Sequence, residues 1–344
     1  MNSFDEKACL ETFEELLKID STTGQYQEVQ DYLVKRIEEM GYPYELSHKG
    51  GVIADLGGQG DPLVLSVHVD DLGLMVRHIN DDGTLNVCPV GGLFAFLCVN
   101  ENVRVHTREG KIYSGSICRI PNSIHVTEEE LRDVLPDYRK NVCVVLDEEV
   151  NNADDVRKLG IETGDVVALD SKYQYVNGFI KSRFIDDKAC AAVLLSLMKT
   201  LKEEKIKLKR KVYAYFSVYE EIGHGAAYLP DGVKDFLALD IAPLGPEQNS
   251  DEHKVSVFAK DALYPYHYEM TSELRQCAID NQIDYVMDIF TPHYSSDGDT
   301  SLVAGHDIRH SAIGPGTRNS HGYERTHIKG LENTYKLALA YILR

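Results

Sequence analysis

The stretch Ser66–Val76, SVHVDDLGLMV, sets a histidine and two carboxylates at the end of an apolar run. The preceding Pro62–Leu65 reads as a buried strand, so His68, Asp70 and Asp71 stand where a core is about to close. A lone imidazole there is ordinarily a hydrogen-bonded core side chain. Charges beside it cost several kcal/mol unless something positive neutralises them. Four further stretches repeat the pattern. RFIDDKAC places Asp186 and Asp187 at a helix start, where capping and dipole compensation are the ordinary explanation. YFSVYEEIGHG ends an apolar strand on Glu220 and Glu221, which could simply open a solvated loop. FLALDIAP puts Asp240 directly after a strand, a turn position. IGPGTRNSHGYERTH carries His321 in a loop rich in Gly and Asn, where a surface histidine is the default.

Each plain explanation suffices alone, but five together do not. In an open α/β sheet the C-terminal ends of the strands converge on one crevice, and ligands bind there. Two histidines, three carboxylates and one extra acid delivered to that edge suit two divalent ions with one carboxylate bridging them. Oxygen and nitrogen donors without thiolates point to zinc first, with cobalt or manganese as alternatives. Paired ions about 3.5–4 Å apart serve hydrolysis in aminopeptidases and phosphatases. Such ions would also neutralise the buried acids.

The elements that must hold these residues alternate along the chain. Apolar spacing predicts amphipathic helices over 4–19 and 26–41, the second ending at Gly41. Strands follow in YPYELS, GVIADL and PLVLSVH. From Asp71 to about Gly164 the texture changes to short strands (NVRVHT, KIYSGSI, NVCVVLD) between Gly, Asn and Asp turns. Helical texture returns at 186–205, and the strands KVYAYFSV, DFLALDI and KVSVFAK then alternate with helices around 271–282 and 330–343. The fold class is therefore α/β, with a mixed, mostly parallel sheet sandwiched by helices and an inserted smaller, barrel-like β domain. The expected division is 1–71 with 165–344 for the catalytic domain and 72–164 for the insertion.

Composition narrows the partners. The 344 residues carry a formal net charge of −19 and no basic cluster, which argues against nucleic acid. No apolar run approaches the ~20 residues that span a bilayer, and the N-terminal MNSFDEKACLETFEELL does not read as a signal peptide. Seven dispersed cysteines without a CxxC pair fit a reducing cytosol rather than a disulfide framework, so a cytoplasmic location is expected.

Taken in order, HVDDLGLMV, IDDKAC, EEIGHGA, ALDIAP and GPGTRNSHGYERTH resemble the M42 metallo-aminopeptidases, the deblocking or glutamyl aminopeptidases that form tetrahedral assemblies. The resemblance implies His68 and Asp240 on one metal, Glu221 and His321 on the other, and Asp186 bridging. It makes Glu220 the general base and Asp70 the group orienting His68. Choosing Asp186 over Asp187 follows from relatives that have Asn at the second position. The insertion would be a dimerisation domain, building homo-oligomers from dimer to dodecamer that admit short peptides with a free N-terminus. Three departures stand out: Asp71 where many relatives have Glu, Lys188 for the usual Arg, and GHGAA for Gly-Leu-Arg-Gly-Ala. His224, in the last of these, bears on specificity. The sequence between TPHYSSDGDTSLVAGHD and His321 also differs from the commonest Gly-Thr-Asp-Ala form, and that loop is expected to shape the pocket.

The implied chemistry is hydrolysis by a water acidified by the ions, with Glu220 taking its proton and passing it to the leaving amine. A di-metal deacylase or carboxypeptidase would use the same residues on a different substrate. An endoglucanase reading has acids enough, but it needs no paired histidines, and the chain has no Trp for a sugar platform. A non-enzymatic peptide-binding scaffold would tolerate a lost ligand, and none is lost.

Overall fold

Four apolar stretches form the centre of the fold. The computed structural model describes residues 4–121 and 123–344. Arg210–Ser217, Gln59–His68, Asp235–Leu239 and Arg309–Thr317 lie side by side, all parallel, within a nine-stranded sheet. Val52–Gly57 and then Tyr44–Leu46 add antiparallel strands at one side. Val255–Lys260 joins Arg309–Thr317 antiparallel at the other, with Tyr285–Ile289 parallel outside it.

Side chains on a strand alternate faces, and here both faces are buried, which is why the central strands read as continuous apolar runs. Leu63, Leu65 and Val67 join Ala214, Phe216, Leu237 and Leu239 in one core. Five helices cover it: Glu6–Leu17, Gln27–Met40, Ile185–Glu203, Tyr268–Asp280 and Ile328–Ile342. Val64, Tyr215, Phe236 and Ala238 face the opposite way, against Ala226, Leu229, Tyr266 and Phe290. Helices do lie on both faces, but unequally, because among the described residues this second face carries only the short helix Asp297–Val303 and the connections around it.

The Gly-rich motif before His321 is not all loop. Arg309–Thr317, which includes Gly314 and Gly316, is an internal strand of the sheet. Its glycines answer close backbone approach rather than a turn. A Cβ at Gly314 would fall 1.5 Å from the Asp240 carbonyl oxygen, and one at Gly316 would fall 2.3 Å from that of Asp251.

The inserted unit runs from Leu72 to Ser171, while the chain up to Asp71 and Lys172–Arg344 make the other. Six antiparallel strands close it into a barrel in the order Gly73–Ile79, Leu85–Val90, Val142–Leu146, Ile112–Arg119, Asn102–His106, Val166–Leu169. The expected boundary at 164 was too early. Val166–Leu169 pairs with both Gly73–Ile79 and Asn102–His106 and closes the ring, leaving no open edge. No helix among the described residues is long and apolar enough to cross a membrane.

Candidate active site

The four parallel strands deliver the candidate residues to one edge. His68 is the last residue of its strand and stands level with Ser217, three residues before Glu220. Asp240 directly follows Asp235–Leu239, and His321 lies four residues beyond Arg309–Thr317. Asp186 and Asp187 open the helix Ile185–Glu203 but do not have helical dihedrals, so the regular turns begin after them. Phe184, Tyr219 and His321 all have positive φ, at 63°, 84° and 66°. Bulky side chains adopt that region only when their surroundings over-determine it, and such strain gathers at functional sites.

His68 is the hub. Its Nδ1 lies 3.1 Å from the main-chain oxygen of Asp70, which can only accept, so Nδ1 carries the hydrogen. That leaves Nε2 facing the carboxylates of the site, where an ion could take the place of its proton. Nε2 lies 3.0 Å from Asp186 Oδ1 and 3.8 Å from Glu220 Oε2. The Asp70 carboxylate is 3.6 Å from Nδ1 and mainly serves the acidic turn, accepting from the main-chain N–H groups of Glu220 (3.1 Å) and Glu221 (3.3 Å) and from Thr23 Oγ1 (2.8 Å). His321 Nε2 is 3.6 Å from Glu221 and 3.9 Å from Asp186.

Burial dominates the electrostatics. It drives the carboxyls of Glu220, Glu221 and Asp187 well above their usual range, and neighbouring carboxylates add to the effect. Asp240 is pushed up to about 7, by burial first and then by the Asp186 charge. His68 is the positive group all four share. Burial alone would lower its pKa, but hydrogen bonds to Asp186 and Asp70 and the Glu220 charge hold it well above the ordinary value. Asp70 moves the opposite way and stays ionised, because His68, Thr23 and the Glu220 N–H outweigh its burial.

Two groups of donors converge closely enough to hold an ion: His68, Asp186 and Glu221, and His68, Asp187 and Asp240, each with its ligand atoms within 4.8 Å of one another. Asp187 Oδ1 is buried without a hydrogen-bond partner among the described residues. An all-oxygen-and-nitrogen set with an unsatisfied buried oxygen fits a divalent cation. Every residue expected from the sequence lies at this edge, with His321 at its rim.

Sequence reasoning set Asp187 aside in favour of Asp186 and passed over Glu324 and Asp297. Asp187 joins Asp240 and also accepts from the His68 main-chain N–H at 3.2 Å. Glu324 accepts from the N–H groups of both Asp186 and His321, each at 3.1 Å, tying those two segments together. Asp297 accepts from Ser217 Oγ, from Ser66 Oγ (3.4 Å) and from the Ala226 N–H (2.9 Å), beneath the acidic turn. Its only sequence signal was the S-x-x-D capping pattern Ser296–Asp299.

The departures at 71 and 188 turn out to be the two halves of one contact. Lys188 Nζ meets Asp71 Oδ2 at 2.5 Å, both side chains buried, and also donates to the Ile19 carbonyl. Lys188→Met leaves Asp71 charged and unpaired, and is expected to cost about 3–5 kcal/mol in urea unfolding. Adding Asp71→Asn should recover much of that; no recovery would mean that lost packing, not the pair, sets the cost.

Comparison with known proteins gives this geometry a context. Residues 50–337 match the family described as M42 glutamyl aminopeptidase. YhfE of Bacillus subtilis is 38% identical over 337 residues, covering 97% of this chain and 96% of that protein. The glutamyl aminopeptidase of Lactococcus lactis subsp. cremoris is 23% identical over 325 residues, covering 90% and 88%. The solved Pyrococcus horikoshii TET1 peptidase, described as assembling into a tetrahedron or a large octahedral shell, superposes with a TM-score of 0.85 at 21% identity, covering 98% and 99% of the two chains. At that identity the structural likeness speaks for the fold. The family match spans most of the sequence, and YhfE aligns nearly end to end. The chain belongs to the M42 glutamyl aminopeptidase family.

Proposed function

We propose that this protein is a metal-dependent aminopeptidase that removes N-terminal residues from short peptides, with Glu220 as its proton carrier. The observation that carries the reading is the ring of buried oxygen and nitrogen donors around His68, with Glu220 Oε2 3.8 Å from His68 Nε2 but outside both converging ligand groups. We assign His68 and Asp240 to one ion, Glu221 and His321 to a second, and Asp186 to a position between them. Two divalent ions, zinc or else cobalt or manganese, would supply an acidified water and a Lewis acid for the scissile carbonyl.

This chain's own groups do the rest. Glu220 takes the proton of the attacking water and hands it to the departing amine. Burial, with the Asp240, Asp297 and Glu221 charges, raises its carboxyl above the usual carboxylate range, which favours holding the proton until the amine departs. Asp70 holds the main chain of Glu220 and Glu221 in place. The carboxylate-rich edge attracts a free α-ammonium group and disfavours an acylated terminus.

The inserted barrel is the proposed assembly element, from dimer to dodecamer. It exposes large apolar side chains, including the stacked pair Phe94 and Phe96, Val126 and Leu135. The seven cysteines form no disulfide among the described residues, which supports a cytoplasmic setting. The deciding experiment offers aminoacyl-p-nitroanilides and their N-acetylated forms to metal-stripped protein, then restores zinc, cobalt or manganese. Metal-dependent release from free substrates alone is expected. Protein that binds ions but releases nothing would instead be a deacylase or carboxypeptidase.

A further inference from the structure

One hydroxyl beside the site has no acceptor. Tyr294 lies on the connection between Tyr285–Ile289 and the short helix Asp297–Val303, within TPHYSSDGDTSLVAGHD. Its ring is held by its neighbours. The ring centroids of Phe258 and Phe290 each lie 5.5 Å from its own, and its main-chain carbonyl accepts from the Ala262 N–H at 3.0 Å. The hydroxyl oxygen is buried and has no hydrogen-bond partner among the described residues. A buried tyrosine ordinarily satisfies its O–H, so an orphan of this kind calls for a physical reason.

What surrounds the hydroxyl is acidic. Burial pushes the phenol well above its ordinary pKa, and the Asp240, Asp186 and Glu220 charges push it further. It therefore keeps its hydrogen at any working pH and stands as a donor. The influence is mutual, because Tyr294 is among the groups that hold the Asp240 carboxyl down against its burial. The two side chains are thus neighbours that do not meet in hydrogen-bond geometry as they stand. Asp240 Oδ1 accepts from the Ile241 main-chain N–H at 2.7 Å, which leaves the other oxygen to be oriented. The same carboxylate converges with His68 and Asp187 in one of the two candidate ligand groups. A carboxylate that holds an ion is ordinarily fixed in turn by a hydrogen-bond donor behind it.

We propose, on the metal assignment made above, that Tyr294 is a positioning residue for the ion on Asp240, its O–H closing onto the Asp240 carboxylate and turning one oxygen toward the ion. The donor without an acceptor and the carboxylate secured at one oxygen then answer each other.

Tyr294→Phe removes the hydroxyl and keeps the ring, so the packing on Phe258 and Phe290 survives. Zinc is titrated into metal-stripped wild type, Tyr294→Phe, Asp240→Asn and the double variant, in competition with a chromogenic chelator. Tyr294→Phe should weaken one of two ions about 10–100-fold and the other far less, the usual scale for losing a partner behind a ligand. Thermal melts of the stripped variant should stay close to wild type, since no hydrogen bond made in that state is lost. In the Asp240→Asn background the same change should have no further effect on affinity, because its target is gone. Affinities within about twofold of wild type in Tyr294→Phe overturn the proposal, and so does an equal loss with and without the Asp240 carboxylate. Unchanged affinities with a lower kcat on leucyl-p-nitroanilide also overturn it, and would move the acceptor of the hydroxyl to the substrate. If Asp240→Asn weakens neither ion, the metal assignment itself falls and this role with it, so that variant alone tells the two failures apart.

Discussion

Glu220→Gln is expected to keep its full metal complement while kcat falls about 10²–10⁴-fold, the usual contribution of a positioned general base. The replacement has the same shape, and the contact fixing the turn is between the residue's own N–H and Asp70, so it survives the change. What is lost is a group that can take a proton. Burial keeps the Glu220 carboxyl high, with the Asp240, Asp297 and Glu221 charges adding to it, while His68 works in the opposite direction. An amide at this position feels none of those fields. The measurement pairs metal analysis of purified protein with kcat on leucyl-p-nitroanilide across pH 6–9. A variant that kept normal turnover would show that another group carries the proton. A variant that lost metal would show Glu220 to be a ligand, and would move the assignment of Glu221 with it.

Much of this site was legible because its residues lie where apolar runs stop. His68, Glu220 and Asp240 each come at or just after a strand whose two buried faces make it read as an unbroken hydrophobic stretch. The ends of four parallel neighbours must share an edge, so locating the ends was enough to bring the residues together. Legibility failed where the signal was backbone approach rather than side-chain pattern. Arg309–Thr317 reads as loop from its glycines and proline, and only the Asp240 carbonyl lying against Gly314 shows why they are there. The first two barrel strands, Gly73–Ile79 and Leu85–Val90, were likewise hidden by mixed polarity. Residues that act through main-chain N–H groups, as Glu324 and Asp297 do, leave no spacing to detect. The Asp71–Lys188 contact was visible as two unrelated departures, 117 positions apart, until the fold joined them.

Removing the metal should make stability depend on pH in a definite sense. Asp187, Glu220 and Glu221 all have carboxyls raised far above their unfolded values, and Asp240 is raised to about 7. A carboxyl of this kind binds more protons folded than unfolded. Its contribution is therefore most favourable at low pH and is lost as pH rises from the unfolded value near 4 through the folded one, about 7 for Asp240. His68, raised by its partners, changes in the same sense. Cations bound at the cluster take the place of those protons, so they should stabilise most where the protons are gone. Thermal melts of stripped protein should show zinc raising Tm by roughly 5–10 °C at pH 8 and by far less at pH 5. Asp240→Asn should flatten the difference, because an amide neither binds the proton nor repels its neighbours. A zinc-induced gain that is equal at the two pH values would mean that the ion is held by groups other than these buried carboxylates. The ligand assignment would then have to be rebuilt around the rim, starting from His321, whose ring is 35% exposed and the most accessible of the proposed donors.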